Sequence, residues 1–562
     1  MNRVAVFLIA TLFAGCASTS RQNTLNAPAP IPMRSWLQLQ GDLRDAPVEL
    51  RRAITQAVQA RLPKADQAVT VTTEASQTSR AVLLEVMAHS PDRAFLPDAE
   101  FNNLHDVVIG ENRHLEQTYA AVLAGYLTQP DFGCQQPLYL RYFQRRYGAG
   151  PGANQCRAEV PFSVLTRYDG AGNVWLDPKR VKSIHLLFAG KSQSMASRFG
   201  HLALRLVVCP EGKTSAAECD ANLFEHLVLG FQAHIDELSL NTLKALNGDY
   251  KAYLFANRFM DVYQEYAIGE FREVYSVPLR LDDAQRELMV RELADIHWSY
   301  AGSYNFFTRN CATMLQNALR VSWPEFAASG KLSSGFLRPD SFFEAIKRSP
   351  LTDSARLASL EDAEREGYFF SSTREFYQRA LTEVRAQMKA PAFSDIESYL
   401  QINPVKRRAD REEDTQFFAR LAADRHLREA QIMLEEYALL RGERLLMIEG
   451  AKYFEQQDFL SRSDSIHAQL DAEHAKVFDD CLLTPFKQHT NPILRLSGIP
   501  DKSDIPTISS QTSTCQSKQS NQLLHEAIEG IKDAKSEQWQ KLTDASRYVS
   551  ESIANINLLK KM

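Results

Sequence analysis

Beyond Ala14 the sequence contains no apolar run long enough to cross a bilayer, which excludes a bundle of membrane-spanning helices. An excess of basic charge is also missing. The 64 Lys and Arg residues are outnumbered by 69 Asp and Glu, for a net charge of -5, so there is no electrostatic footprint for nucleic acid. No His, Cys or carboxylate spacing matches a known metal-site pattern, so neither a metal nor a cofactor is expected. Residues 33–147 carry no catalytic constellation, and residues 409–477 contain no proline.

What is present is ordinary globular material. The chain has 562 residues, 44% hydrophobic and 24% charged. That length suits about two to four domains. The N-terminus reads as a targeting segment: a basic Met1-Asn2-Arg3, then an apolar run from Val4 to Ala14 that is too short for a settled span. It closes on Leu12-Phe13-Ala14-Gly15-Cys16, which resembles a bacterial lipoprotein signal with cleavage before Cys16 and a lipid on its thiol. Ala17 follows, as in the sorting pattern of outer-membrane lipoproteins. The expectation is a lipid-anchored protein of the bacterial outer membrane that faces the periplasm. Its partners would be the membrane, through that anchor, and a protein docked on its C-terminal helices. An ordinary cleaved secretory signal is the alternative.

Export places the 8 cysteines in an oxidising compartment. With Cys16 reserved for lipid, an odd number remains. Proximity suggests Cys134 with Cys156 around a Gly/Pro loop, Cys209 with Cys219 across a hairpin, and Cys481 with Cys515 around a Pro/Ser/Thr-rich excursion. Cys311 is left over, and an unpaired thiol in an exported protein is a candidate reactive group. Asn310 is a good N-cap and puts Cys311 at the first helical position, where the helix dipole favours thiolate. Met314, Leu315, Ala318 and Leu319 continue that helix. The same stripe also fits a buried, inert thiol.

In chain order, residues 1–15 form the signal and 16–32 a flexible tether. Residues 33–147 read as helical, with amphipathic stretches at Pro47 to Leu62 and Asn112 to Leu127. Residues 148–325 carry strand-like runs: Val160 to Leu165, Ser183 to Ala189, His201 to Val208, Leu223 to Phe231 and Glu273 to Leu281. Pro278 marks the last of these as an edge strand. A helix capped by Asp282 and the Cys311 helix follow. Strands before helices predict an α+β domain with a small antiparallel sheet. Residues 326–404 are a mixed connector. Residues 405–562 predict an antiparallel, coiled-coil-like helical hairpin, with Gly442 and Gly450 as possible breaks.

Two segments carry whatever chemistry exists: Ser197-Arg198-Phe199-Gly200-His201 with Leu204-Arg205-Leu206, and Tyr304-Asn305-Phe306 with Asn310-Cys311. Together, over about residues 180 to 325, they resemble the bacterial Lnb N-terminal periplasmic domain, a domain of unknown function. That family is similar in turn to permuted papain-like thiol hydrolases, related to NlpC-type peptidases and to lecithin retinol acyltransferase. The resemblance implies a permuted papain-like fold, Cys311 as nucleophile and His201 as general base. By analogy with the acyltransferase branch, His226 is a candidate to orient His201, although strand register decides whether it faces the site. The Cys311 N–H is the natural oxyanion donor, and Tyr304 or Asn310 could add another. Asn310 also has a simple role as a cap, Tyr304 as a packed aromatic, and Arg198 and Arg205 as surface charges.

Three functional classes follow. The first is a Cys-His hydrolase or acyltransferase acting on a cell-wall peptide or amide, or on an acyl lipid. The second is a non-catalytic envelope assembly factor or chaperone that keeps the fold. The third, which no metal-site spacing supports, is a metal hydrolase using His185, His201, His226 and His234.

Overall fold

The computed structural model describes residues 98–110, 115, 118–119, 122, 131–147, 156–166, 170–191, 199–234, 248–329, 337–455, 464–484, 498–505, 518–531 and 536–562. The signal and tether, Cys16, the Pro47 to Leu62 stretch, Arg198 and Cys515 lie outside the described residues.

The first helices are α1 (Ala99–Ile109) and α2 (Pro137–Tyr147). A nine-stranded sheet follows: β1 (Val160–Thr166), β2 (Gly170–Leu176), β3 (Val181–Ala189), β4 (His201–Val208), β5 (Leu227–His234), β6 (Tyr250–Arg258), β7 (Val274–Pro278), β8 (Gly302–Tyr304) and β9 (Phe369–Phe370). Helix α3 (Phe259–Tyr263) leaves β6, and α4 (Asp283–Ser299) and α5 (Cys311–Ser322) flank β8. The strand order is β2-β1-β6-β5-β4-β3-β7-β9, with β8 pairing β6. The pair β1–β6 is parallel, so this α+β sheet is mixed where an antiparallel one was expected. Nor is β7 a bare edge: β9 pairs with Val274 and Tyr275. Pro278 ends the strand, where its missing N–H costs the ladder nothing.

Alternation along β4 separates two faces. Leu202, Leu204, Leu206 and Val208 enter one large core with Leu186, Leu229, Leu254, Leu293 and Leu315, which α1 and α2 share through Phe101, Leu138 and Tyr142. Ala203 faces the other way, into a smaller cluster with Leu187, Val228, Phe259 and Val262. Helix α4 begins on a capping box, with Asp282 accepting from the Gln285 N–H and the Gln285 side chain accepting from the Asp282 N–H.

The C-terminal region is built from α6 (Arg374–Gln387), α7 (Pro404–Glu413), α8 (Arg425–Glu455) and α9 (Glu537–Lys561). Lys560 pairs with Glu436 at 2.8 Å and Gln538 donates to Glu449 at 2.7 Å, so α8 and α9 run antiparallel. Neither Gly442 nor Gly450 breaks α8. At Gly442 a Cβ would come within 2.7 Å of the Tyr548 ring, so the missing side chain lets α9 approach. At the junction of α7, α8 and α9, the buried Glu435 carboxylate accepts from Arg407, Arg411, Tyr399 and Asn555.

Candidate active site

β4 is preceded by a residue that only glycine suits. Gly200 has φ +87°, and a Cβ there would collide with the Phe188 ring and the Ala189 carbonyl. This turn delivers His201 to the end of the sheet, in register with Ala189 of β3. On its other side β4 pairs with β5 only between Leu206↔Leu227 and Leu204↔Leu229. β5 continues alongside β6 as far as His234, so β4 and β5 part company beyond Leu204.

Helix α5 brings Cys311 to that parting. Asn310 caps the helix, its Oδ1 accepting from the Ala312 N–H at 3.0 Å and the Thr313 N–H at 3.1 Å. Its Nδ2 donates to the carbonyls of Phe306 and Leu337. Asn310 therefore serves as the cap, with its side-chain groups already engaged. The Leu202 N–H lies against the Cys311 sulfur, as do the N–H groups of Cys311 and Ala312. The thiol thus meets the residue that follows His201. Tyr304, at the end of β8, presents its hydroxyl oxygen to the Cys311 N–H, and burial raises its pKa.

Cys311 is 3% exposed and is the free cysteine among the described residues. Cys134–Cys156 and Cys209–Cys219 are bridged, with S–S distances of 2.00 and 2.02 Å. Cys481 is also disulfide-bonded. Burial pushes the Cys311 thiol up to about 11, against the pull of the N–H groups and of Arg272. Burial, then the Arg272 charge, lowers His201 to about 4. Thiol and imidazole are therefore both favoured in their neutral forms. The thiolate expected from the helix terminus is disfavoured, because desolvation of a full charge outweighs the helix end.

His201 is half-buried, and its Nε2 has no hydrogen-bond partner among the described residues. The ring lies over Gly230, where a Cβ would sit 3.6 Å from Nε2. A recess of about 60 Å³ adjoins it, lined in part by Gln232, Asp261, Glu265 and Tyr266.

The structure does not bring His226 to His201. Its residue number places it just before β5, whose first residue pairs with Leu206 near the far end of β4. There His226 is buried, its Nδ1 accepting from Arg205 at 2.9 Å and its Nε2 donating to the Cys219 carbonyl at 2.8 Å. Arg205, expected on the surface, is fully buried in the same cluster and also donates to Ser276 and to the Gly367 carbonyl. His185 completes it through Ser276 at 2.9 Å. These histidines support a guanidinium, and no group of residues that could hold a metal ion occurs among the described residues.

Residues 172–349 match the family model of the Lnb N-terminal periplasmic domain. The matched stretch runs from within β2, through His201 and Cys311, to the helix Pro339–Lys347. No curated protein and no solved structure matches the chain. The domain's name indicates the periplasm, and no described helix is long and apolar enough to cross a membrane.

Two residues at the site were not legible in the sequence. Tyr266 lies in a π-helical turn after α3, with its ring 6.1 Å from that of His201. Arg272 places its guanidinium 4.6 Å from the Tyr266 ring. Their segment, Gln264 to Arg272, has neither a strand nor a helix period to announce it.

Proposed function

We propose that the protein is an envelope thiol hydrolase or acyltransferase built on a permuted papain-like domain, with Cys311 as nucleophile and His201 as general base. The observation that carries this reading is the meeting of an unpaired thiol at a helix start with the strand opening that bears an imidazole whose Nε2 has no hydrogen-bond partner among the described residues. In a neutral pair, His201 accepts the thiol proton as sulfur attacks a carbonyl carbon. The carbonyl π pair moves to oxygen, which would accept from the Tyr304 hydroxyl and, once it turns from the Tyr304 oxygen, from the Cys311 N–H. Collapse expels the leaving group, which takes the proton from His201, and leaves a thioester. Water or an acceptor nucleophile then resolves the thioester through the same base. Candidate substrates are a cell-wall peptide or amide, or an acyl lipid. Cys16 would anchor the chain to the outer membrane.

The test is to incubate the full chain with envelope lipid and peptidoglycan fractions, then search for an acyl adduct by peptide mass spectrometry. The expected result is a hydroxylamine-sensitive adduct on Cys311 that is absent from Cys311→Ala. No adduct with any fraction, together with full cellular complementation by Cys311→Ala, would remove the reading. The burial of Cys311 favours a second one, a non-catalytic assembly factor working through its helical region. Complementation by Cys311→Ala with loss of function on deleting residues 405–562 would select it.

A further inference from the structure

Arg272 is 1% exposed, yet none of its contacts makes it a simple surface salt bridge. Its Nε donates to the Gly190 carbonyl at 2.6 Å and one Nη to the Ala189 carbonyl at 2.8 Å. Ala189 is the residue paired with His201 across the β3–β4 ladder. The guanidinium also stacks on Tyr266, whose ring neighbours the His201 imidazole. The other Nη reaches Glu270 at 2.9 Å, and the opposite oxygen of Glu270 lies 3.7 Å from Arg444 of α8.

The residue between them is held in an uncommon conformation. Phe271 has φ +54°, the left-handed region that large side chains rarely enter. Its ring is 4.9 Å from that of Tyr437 in α8 and 5.8 Å from that of Tyr377 in α6. The helical region therefore grips the side chain on each side of the turn: aromatic packing on Phe271 and a cation on Glu270. The turn in between aims Arg272 inward.

We propose that Arg272 is a positioning residue for the Cys311–His201 pair, locked by the helical region through the Glu270-Phe271-Arg272 turn. It rests on the reading of Cys311 and His201 as a reactive pair. Its roles are two. It fixes the strand end and the Tyr266 ring that border His201, and it supplies the nearby positive charge that favours thiolate over thiol as the proton leaves. The C-terminal helices, on this account, are part of the machinery that shapes the site.

The experiment is alkylation of Cys311 in the full chain by iodoacetamide across pH 7 to 9.5, followed by peptide mass spectrometry, with the fold checked by circular dichroism. Arg272→Met is expected to slow alkylation at pH 8 by about threefold, the thiolate loss for half a pKa unit, while Arg272→Lys restores most of the rate. Glu270→Gln, which leaves the cation unneutralised, is expected to accelerate it by about threefold on the same scale. A merely structural tie predicts otherwise: loosened packing exposes a buried thiol and speeds alkylation in both variants. Unchanged rates, or acceleration in both, would overturn the proposal. If Arg272→Met does not fold, Arg272→Lys decides with Glu270→Gln: a near wild-type rate in the first with acceleration in the second supports the proposal, and acceleration in Arg272→Lys, or no change or a slowing in Glu270→Gln, sinks it. None of these readouts uses turnover, so the proposal can fail while the thioester on Cys311 stands, or hold while no thioester forms.

Discussion

Two buried polar clusters in this molecule are built on opposite plans. In the helical region both Glu435 oxygens are taken, one by the Tyr399 hydroxyl and Arg411 and the other by Arg407 and Asn555. Burial alone would raise the Glu435 pKa, and the charges of Arg407 and Arg411 overcome it, so the carboxylate stays ionised and its pKa falls. At the sheet end, the His201 Nε2 is buried without a hydrogen bond among the described residues, and both it and Cys311 are held neutral. The first cluster holds its charge by matching it and specifies how three helices meet. The second leaves the His201 Nε2 without a hydrogen bond among the described residues, which costs stability.

The sharpest way to break this contrast is at the thiol. Cys311→Ala should abolish thioester formation, a loss on the order of a thousandfold or more where a nucleophile acts in concert with its base. Trapping measured by mass spectrometry that survives the substitution would leave the sheet-end cluster without a chemical purpose.

Next in size is the matched cluster. Glu435→Leu would leave Arg407 and Arg411 buried without their carboxylate, and should destabilise the helical region by about 3–5 kcal/mol in chemical denaturation. A loss under about 1 kcal/mol, the range of an exposed pair, would show that the match is cosmetic. Linkage gives the sign with pH. The folded Glu435 pKa is depressed, so its contribution is complete above the unfolded carboxylate value and is lost as pH falls through the folded value.

Glu292 of α4 should do the reverse. Burial raises it to about 8 although Arg141 lies 3.0 Å away. Its folded pKa is above the unfolded value, so its contribution is full below about pH 4.3 and declines as pH rises towards 8. Thermal melts of Glu292→Gln should therefore be flatter than wild type over that window. Parallel curves would mean that the carboxyl is ionised in the folded protein. The smallest effect is the cap: Asn310→Ala should cost about 1 kcal/mol in the denaturation of the sheet domain. It should disturb trapping far less than Cys311→Ala does. Equal losses would move Asn310 from helix cap to oxyanion donor.

Much of the frame was legible because local chemistry decided it. Period-2 alternation announced β3 and β4, Asp282 and Asn310 announced the starts of α4 and α5, and counting cysteines left Cys311 over. The missed strands have plain causes. β6 mixes lysine, asparagine and arginine into its alternation, β8 and β9 are too short to show a period, and the parallel β1–β6 pair joins segments far apart in sequence. His226 failed on register: it is a strand-end histidine, but β5 meets β4 at the end remote from His201. Arg205 reads as a surface charge until the fold closes three elements over it.

By itself the sequence determined which residues are candidates to react. A turn that only glycine suits precedes His201, and a polar cap precedes an unpaired Cys311; both are properties of neighbours along the chain. Only the tertiary structure decided their state and their company. Burial, which depends on what packs across β4 and β5, reversed the thiolate that the helix end alone would favour. It also brought Tyr266 and Arg272 to the site from a turn without a pattern. Desolvation and long-range packing are sums over residues distant in sequence, so no local stretch could have foretold them.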